Sequence, residues 1–164
     1  MFKKQGLYNP EFEHENCGAG FICNLNGKKT NQIIHDALEI LIKLKHRGGV
    51  SSDGVTGDGA GLLIDIPHTY FKKVCDFKLP EERKYAVGML FIPKNQTAYF
   101  RNIFSKEIEK QGLNIIGWRK VPVISSFLGK IALKSEPISE QVFIEKPKNI
   151  SEKKFKIKLY ISRK

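Results

Sequence analysis

The sequence predicts a mixed α and β protein of the α+β class. Two segments, residues 31–45 and 97–110, repeat apolar side chains at helical spacing, while several shorter apolar runs have strand length. Neither an internal repeat nor a low-complexity tract interrupts them. With 164 residues, 41% of them hydrophobic and 27% charged, the chain has the balance of a folded protein rather than a disordered one.

The elements follow in order. Residues 1–16 are polar and lack a period, so they read as an irregular leader. Residues 17–25 read as a strand whose Gly18 and Gly20 mark a close approach of a neighbouring backbone or a ligand, and Asn26-Gly27 is a tight-turn signal. The first helix is expected over about residues 31–45, capped by Thr30 or Asn31, with Ile34, Leu38 and Leu41 inside. It stops at His46-Arg47-Gly48-Gly49, where glycines permit the positive dihedrals of a helix exit.

A Gly-rich loop runs to Gly61, and residues 62–66 read as a buried strand closed by Pro67. Residues 85–92 read as a strand. The second helix turns Phe100, Ile103, Phe104 and Ile108 inward and ends at Gly112. Residues 113–116, 121–124 and 141–144 read as further strands. Residues 155–161 alternate like a strand yet are Lys-rich enough to be a helix face, and pattern leaves both open.

Composition excludes several functions. No apolar run approaches the roughly 20 residues of a transmembrane helix, and the leader lacks the apolar core of a secretory signal. The net charge of +11 comes from 23 Lys and only 5 Arg. Lys is a strongly hydrated point charge, whereas Arg is favoured for phosphate and base recognition. The Lys residues scatter without interleaved aromatics, so a solvated surface is expected and nucleic acid is not an expected partner. Cys17, Cys23 and Cys75 give an odd count without metal-ligand spacing, which fits reduced thiols in a cytoplasmic setting. No metal site is expected.

Chemistry could reside in three places. Gly57-Asp58-Gly59-Ala60-Gly61 lacks the Lys-Ser/Thr of a phosphate loop, and Asp58 would repel phosphate; a tight, backbone-lined pocket wall fits better. His14, His35 and His68 read as surface or packing residues, while His46 stands out because it adjoins Arg47 at the helix exit. Cys17 follows the polar leader directly. Were the leader removed, Cys17 would carry both a nucleophilic thiol and an α-amine, of ordinary pKa about 7.7 to 8.0, able to accept its proton. Such a residue needs no triad, although a buried packing cysteine would account for the same composition.

Leu7-Tyr8-Asn9-Pro10-Glu11-Phe12-Glu13-His14-Glu15-Asn16-Cys17-Gly18-Ala19-Gly20-Phe21 resembles the start of the glutamine-dependent large subunit of the glutamate synthase family. The resemblance continues through His46-Arg47-Gly48-Gly49, Thr56-Gly57-Asp58-Gly59-Ala60-Gly61 and Gly117-Trp118-Arg119-Lys120-Val121-Pro122-Val123. It ends with Glu136-Pro137-Ile138-Ser139-Glu140-Gln141-Val142-Phe143-Ile144. It implies a class II glutamine amidotransferase domain of the N-terminal-nucleophile hydrolase fold, an αββα sandwich, over residues 17–164, with residues 1–16 as a propeptide.

By the same resemblance Cys17 is the nucleophile that releases ammonia from L-glutamine, and Arg47, Gly48 and Gly49 belong to the substrate pocket. Asp58 would only shape its loop, and Trp118 and Arg119 would be structural. Ammonia would travel to a distant flavin site and aminate 2-oxoglutarate. The FMN and iron–sulfur cluster of the family would lie elsewhere in the chain. Partners would be the rest of the synthase subunit and an electron-donating small subunit or ferredoxin. The family's domain is longer, so the sandwich is expected to be incomplete and this chain to be its front portion. The competing reading is a catalytically inactive fragment or interaction module. Cys17 is expected to open a strand with its sulfur facing the loop of residues 48–61, with Cys23 and Cys75 serving packing.

Overall fold

A computed structural model describes residues 6–7 and 18–164. The leader's expected irregularity and the placement of Cys17 therefore lie outside the described residues. The chain divides into two units, Met1–Ile64 and Asp65–Lys164.

In the first unit the helix α1 spans Asn31–Lys43 and passes into a tighter 3-10 turn, Leu44–Arg47. Its apolar face is less enclosed than the periodicity suggests. Ala37 is buried, Ile34 and Leu41 are half-buried, and Leu38 is 43% exposed, against expectation. Periodicity identifies the face that prefers burial, but burial needs a second element to cover it.

Among the described residues, the segment around Gly18 and Gly20 comes close to this helix. A Cβ on Gly20 would lie 2.6 Å from the Ile40 side chain, and one on Gly18 would lie 3.0 Å from Leu44. The two glycines mark a close approach, as expected, and the neighbour is the side-chain surface of α1. The expected strand over residues 17–25 does not form among residues 18–24, which have no ladder partner. Asn26-Gly27 does form a turn, with Gly27 at φ +66° and its N–H donating to Asn24 O at 2.9 Å. No second strand returns from it.

The expected buried strand at residues 62–66 is likewise unpaired, and Leu63 is 99% exposed. Strand hydrogen bonds come from a distant segment, so an apolar run specifies a strand only where that segment lies alongside.

The second unit is built on a three-stranded antiparallel sheet in the order β1-β3-β2, with β1 Tyr85–Ile92, β2 Asn114–Lys120 and β3 Ile138–Glu145. In the central strand Val142, Phe143 and Ile144 are buried in succession, so both faces of the sheet are covered. Val142 and Ile144 pack with Ile108 of α3 (Thr97–Lys110), Leu113 and Phe155 of α5 (Glu152–Arg163). Phe143 points to the other face, onto Phe71 of α2 (His68–Val74), Leu79 and Tyr85. Its ring meets that of Phe71 edge-on, centroids 5.0 Å apart. A short helix α4, Lys130–Ser135, precedes β3.

Several expectations hold here with one-residue accuracy, including β1 and α3; Gly112 closes α3 at φ +65°. Ile103, placed inward by pattern, is 40% exposed instead. β2 runs past residue 116 because a bulge between Ile115 and Gly117 lets the chain regain register with β3. A Cβ on Gly117 would sit 2.4 Å from the Phe77 ring, so only glycine fits there.

The strand expected at residues 121–124 does not form. Val121 N–H makes a last bond to Ser139 O at 2.9 Å, and Pro122 has no N–H to continue. The ambiguous segment 155–161 is helical. Ser151 caps α5 by accepting from Lys154 N–H at 3.2 Å, and Phe155 and Leu159, four residues apart, reach the same core.

A polar cluster ties the entry of β3 to the exit of β1. Glu136 accepts from Ser125 Oγ and from Lys94 Nζ at 3.0 Å. These bonds, led by that from Ser125, hold the Glu136 carboxyl below the usual carboxylate range. A lowered folded-state pKa stabilises above the unfolded value, and the gain disappears as pH falls through the folded value. The thermal midpoint of Glu136→Gln should therefore lie below that of the native chain at neutral pH. The gap should close on acidification below the ordinary carboxylate range, and a gap that stays constant down to pH 2 would refute the assignment.

Candidate active site

The first unit positions the residues that the sequence singles out. Where α1 tightens into the 3-10 turn, its last carbonyls need donors. His46 supplies one, donating from Nδ1 to Lys43 O at 2.8 Å. Gly48 N–H returns to Lys45 O at 3.2 Å. Gly48 then leaves in extended conformation at φ −93°, and Gly49 is not at positive φ either, so the expected left-handed helix exit is not what these glycines provide.

At Gly49 the role is close approach. Gly49 N–H donates to Asp58 Oδ2 at 2.6 Å, and a Cβ on Gly49 would lie only 3.2 Å from that oxygen. The intervening loop folds back on itself to make the contact. Val50 and Gly57 form an antiparallel bridge, and Ser51 N–H donates to Thr56 O at 2.7 Å. Asp53 braces the tip by accepting from Val55 N–H at 3.1 Å, Thr56 N–H at 2.8 Å and Thr56 Oγ1 at 2.7 Å. Gly54 turns there at φ +70°. Sequence reasoning missed Asp53, although an Asp three residues before a Thr in a glycine-rich loop is a recognisable turn signal.

His46, Arg47, Gly48, Gly49 and Asp58 together line an open pocket of about 450 Å³. From the loop's far side Asp58 lines this pocket, and its bond to Gly49 N–H shapes that wall. The pocket combines a guanidinium, an imidazole, backbone amides and a carboxylate, a donor and acceptor set suited to a polar ligand. Gly18, the residue after Cys17, rests against Leu44, the first residue of the turn that carries His46 and Arg47. Cys17 itself is outside the described residues.

The remaining candidates have local partners. His35 Nε2 lies 3.1 Å from Asn31 Nδ2 on the surface of α1, and His68 Nδ1 lies 3.0 Å from Tyr85 OH. His14 is outside the described residues. Trp118 meets Phe104 edge-on with centroids 6.0 Å apart. Arg119 donates to Gln141 Oε1 at 2.8 Å and to Tyr70 OH at 3.2 Å. Among the described residues, no group of three or more His, Cys, Asp or Glu side chains is arranged to hold a metal, and no helix is long and apolar enough to cross a membrane.

Cys75 is half-buried against the Phe71 cluster, as a packing residue should be, but Cys23 is exposed, against expectation. The segment carrying it has no covering strand. Burial pushes the Cys75 thiol up; Arg119 opposes that rise and Asp76 adds to it. Iodoacetamide at neutral pH should therefore alkylate Cys23 about tenfold faster than Cys75, since the thiolate is the reactive form. Peptide mass spectrometry over a time course reads both rates, and equal rates would contradict the assignment.

The chain belongs to the class-II glutamine amidotransferases: the model of that family matches residues 17–164. Here the domain consists of helices with a small antiparallel sheet. Among known proteins it is 44% identical over 170 residues to the glutamate synthase [NADPH] large chain of Bacillus subtilis, covering 100% of this chain and 11% of that one. It is 42% identical over 176 residues to the glutamate synthase [NADH] of Saccharomyces cerevisiae, with 98% and 8% covered. The ferredoxin-dependent glutamate synthase of Pyropia yezoensis is 37% identical over 167 residues, with 100% and 11% covered. The chain thus spans about a tenth of the length of these relatives.

Proposed function

We propose that the chain is the glutaminase front of a glutamate synthase, hydrolysing L-glutamine to glutamate and ammonia. The observation that carries this reading is the His46-Arg47-Gly48-Gly49 pocket closed by Asp58 in a chain of the amidotransferase family. Cys17 is the nucleophile. Its sulfur attacks the side-chain carboxamide carbon of glutamine while its α-amine takes the thiol proton. The C–N bond then breaks, the proton leaves with the nitrogen as ammonia, and water hydrolyses the γ-glutamyl thioester to glutamate. Arg47 holds substrate oxygen in a fixed orientation and favours the thiolate. Gly48 and Gly49 let the backbone approach the substrate.

Residues 1–16 are a propeptide on this reading, and residues 17–164 belong to an αββα sandwich completed by further chain. In the whole protein the ammonia aminates 2-oxoglutarate. FMN and an iron–sulfur cluster are held elsewhere, and electrons arrive from a small subunit or ferredoxin in a cytoplasmic setting.

The test is covalent trapping in the full chain that carries this domain. A diazoketone analogue of glutamine should alkylate Cys17, and excess glutamine should protect it. Modification of Cys23 or Cys75 in preference to Cys17 overturns the assignment.

A further inference from the structure

The His46 ring has one nitrogen fixed. A carbonyl can only accept, so the 2.8 Å bond to Lys43 O requires a proton on Nδ1. In the neutral imidazole the other nitrogen, Nε2, is then an acceptor, and ring geometry turns it away from the helix backbone. His46 lines the same pocket as Arg47, whose guanidinium has donors only. Adjacent positions thus combine a ring acceptor with a group that can only donate. A primary carboxamide presents the matching set, an oxygen that accepts and an NH₂ that donates. A carboxylate presents two acceptors, and its second oxygen would face the Nε2 lone pair. Asp58, whose Oδ2 is held by Gly49 N–H, lines the same wall.

We propose that His46 is a specificity-determining residue: its Nε2 accepts a hydrogen bond from the carboxamide NH₂ of glutamine, so the pocket selects glutamine over its product glutamate. This rests on the glutaminase reading above and deepens it. An analogue that lacks the N–H forfeits this hydrogen bond and sets its own acceptor against the Nε2 lone pair.

Two substitutions separate recognition from bracing of the turn. The Gln amide reaches about where Nε2 lies, whereas the shorter Asn amide replaces Nδ1 and its bond to Lys43 O. Equilibrium binding of L-glutamine and L-glutamate to the full chain carrying this domain gives a ratio of dissociation constants for each variant. His46→Gln should keep that ratio within about threefold of the native one, while His46→Asn and His46→Ala should lower it about tenfold. The proposal is overturned if His46→Asn preserves discrimination and His46→Gln loses it, since the ring would then only brace the turn. It is overturned equally if no variant changes the ratio, or if the native chain binds neither amino acid. Ammonia release measured on the same native preparation tests the glutaminase reading separately. Selective binding without turnover sinks that reading alone, and turnover with an unchanged ratio in all variants sinks this one alone.

Discussion

A full-length chain that keeps residues 1–16 ahead of Cys17 is expected to release ammonia from glutamine about a hundredfold to ten-thousandfold more slowly than one beginning at Cys17. The α-amine of an N-terminal cysteine has a lone pair to take the thiol proton. In a peptide bond that nitrogen is an amide, its lone pair is delocalised into the carbonyl, and the base is lost while the thiol remains. General-base assistance is the factor removed, which sets the size of the effect. Two preparations settle it, one with residues 1–16 retained and one produced with Cys17 at its terminus, with the first residue of each identified by Edman sequencing. Equal activity in the two would end the N-terminal-nucleophile mechanism.

The second large effect is on stability. Arg101 of α3 donates from Nε and Nη2 to the two carboxylate oxygens of Glu140 on β3, both at 2.7 Å, and its guanidinium lies 5.1 Å from the centre of the Trp118 ring. The Glu140 side chain is only 4% exposed. Arg101 is itself 38% exposed, so solvent screens the pair, and Arg101→Ala is expected to cost about 1–3 kcal/mol by leaving the carboxylate without its donors. Removing both charges avoids the stranded ion, so Arg101→Met with Glu140→Leu should unfold within about 1 kcal/mol of the native chain or above it. Urea denaturation followed by far-ultraviolet circular dichroism measures both. An Arg101→Ala midpoint matching the native one would show that the pair contributes nothing.

This pair also shows where reading the sequence stops. Arg101 and Glu140 are 39 residues apart, and nothing local links a basic residue on one helix to an acid on a later strand. The bounds of β1 and α3 were legible because alternation, helical period and the Gly112 exit are encoded within a few residues. The strands expected at residues 17–25 and 62–66 were not, since a strand is completed by a partner that the local pattern does not name. The pocket was half legible. His46, Arg47, Gly48 and Gly49 stand together in sequence, yet the glycines suggested a left-handed exit where the chain needed room for Asp58.

By itself, then, the sequence determined the elements whose hydrogen bonds close within one helix, the chemical types gathered near residue 46, and membership of the amidotransferase family. The tertiary structure alone decided which nitrogen of His46 is committed, that Asp58 closes on Gly49, and that the Lys-rich end of the chain is a helix rather than a strand. The physical reason is the range of the interactions. A helix satisfies its backbone within four residues and so announces itself locally, whereas a buried face, a ring tautomer and a loop contact across nine residues depend on what the rest of the chain brings alongside.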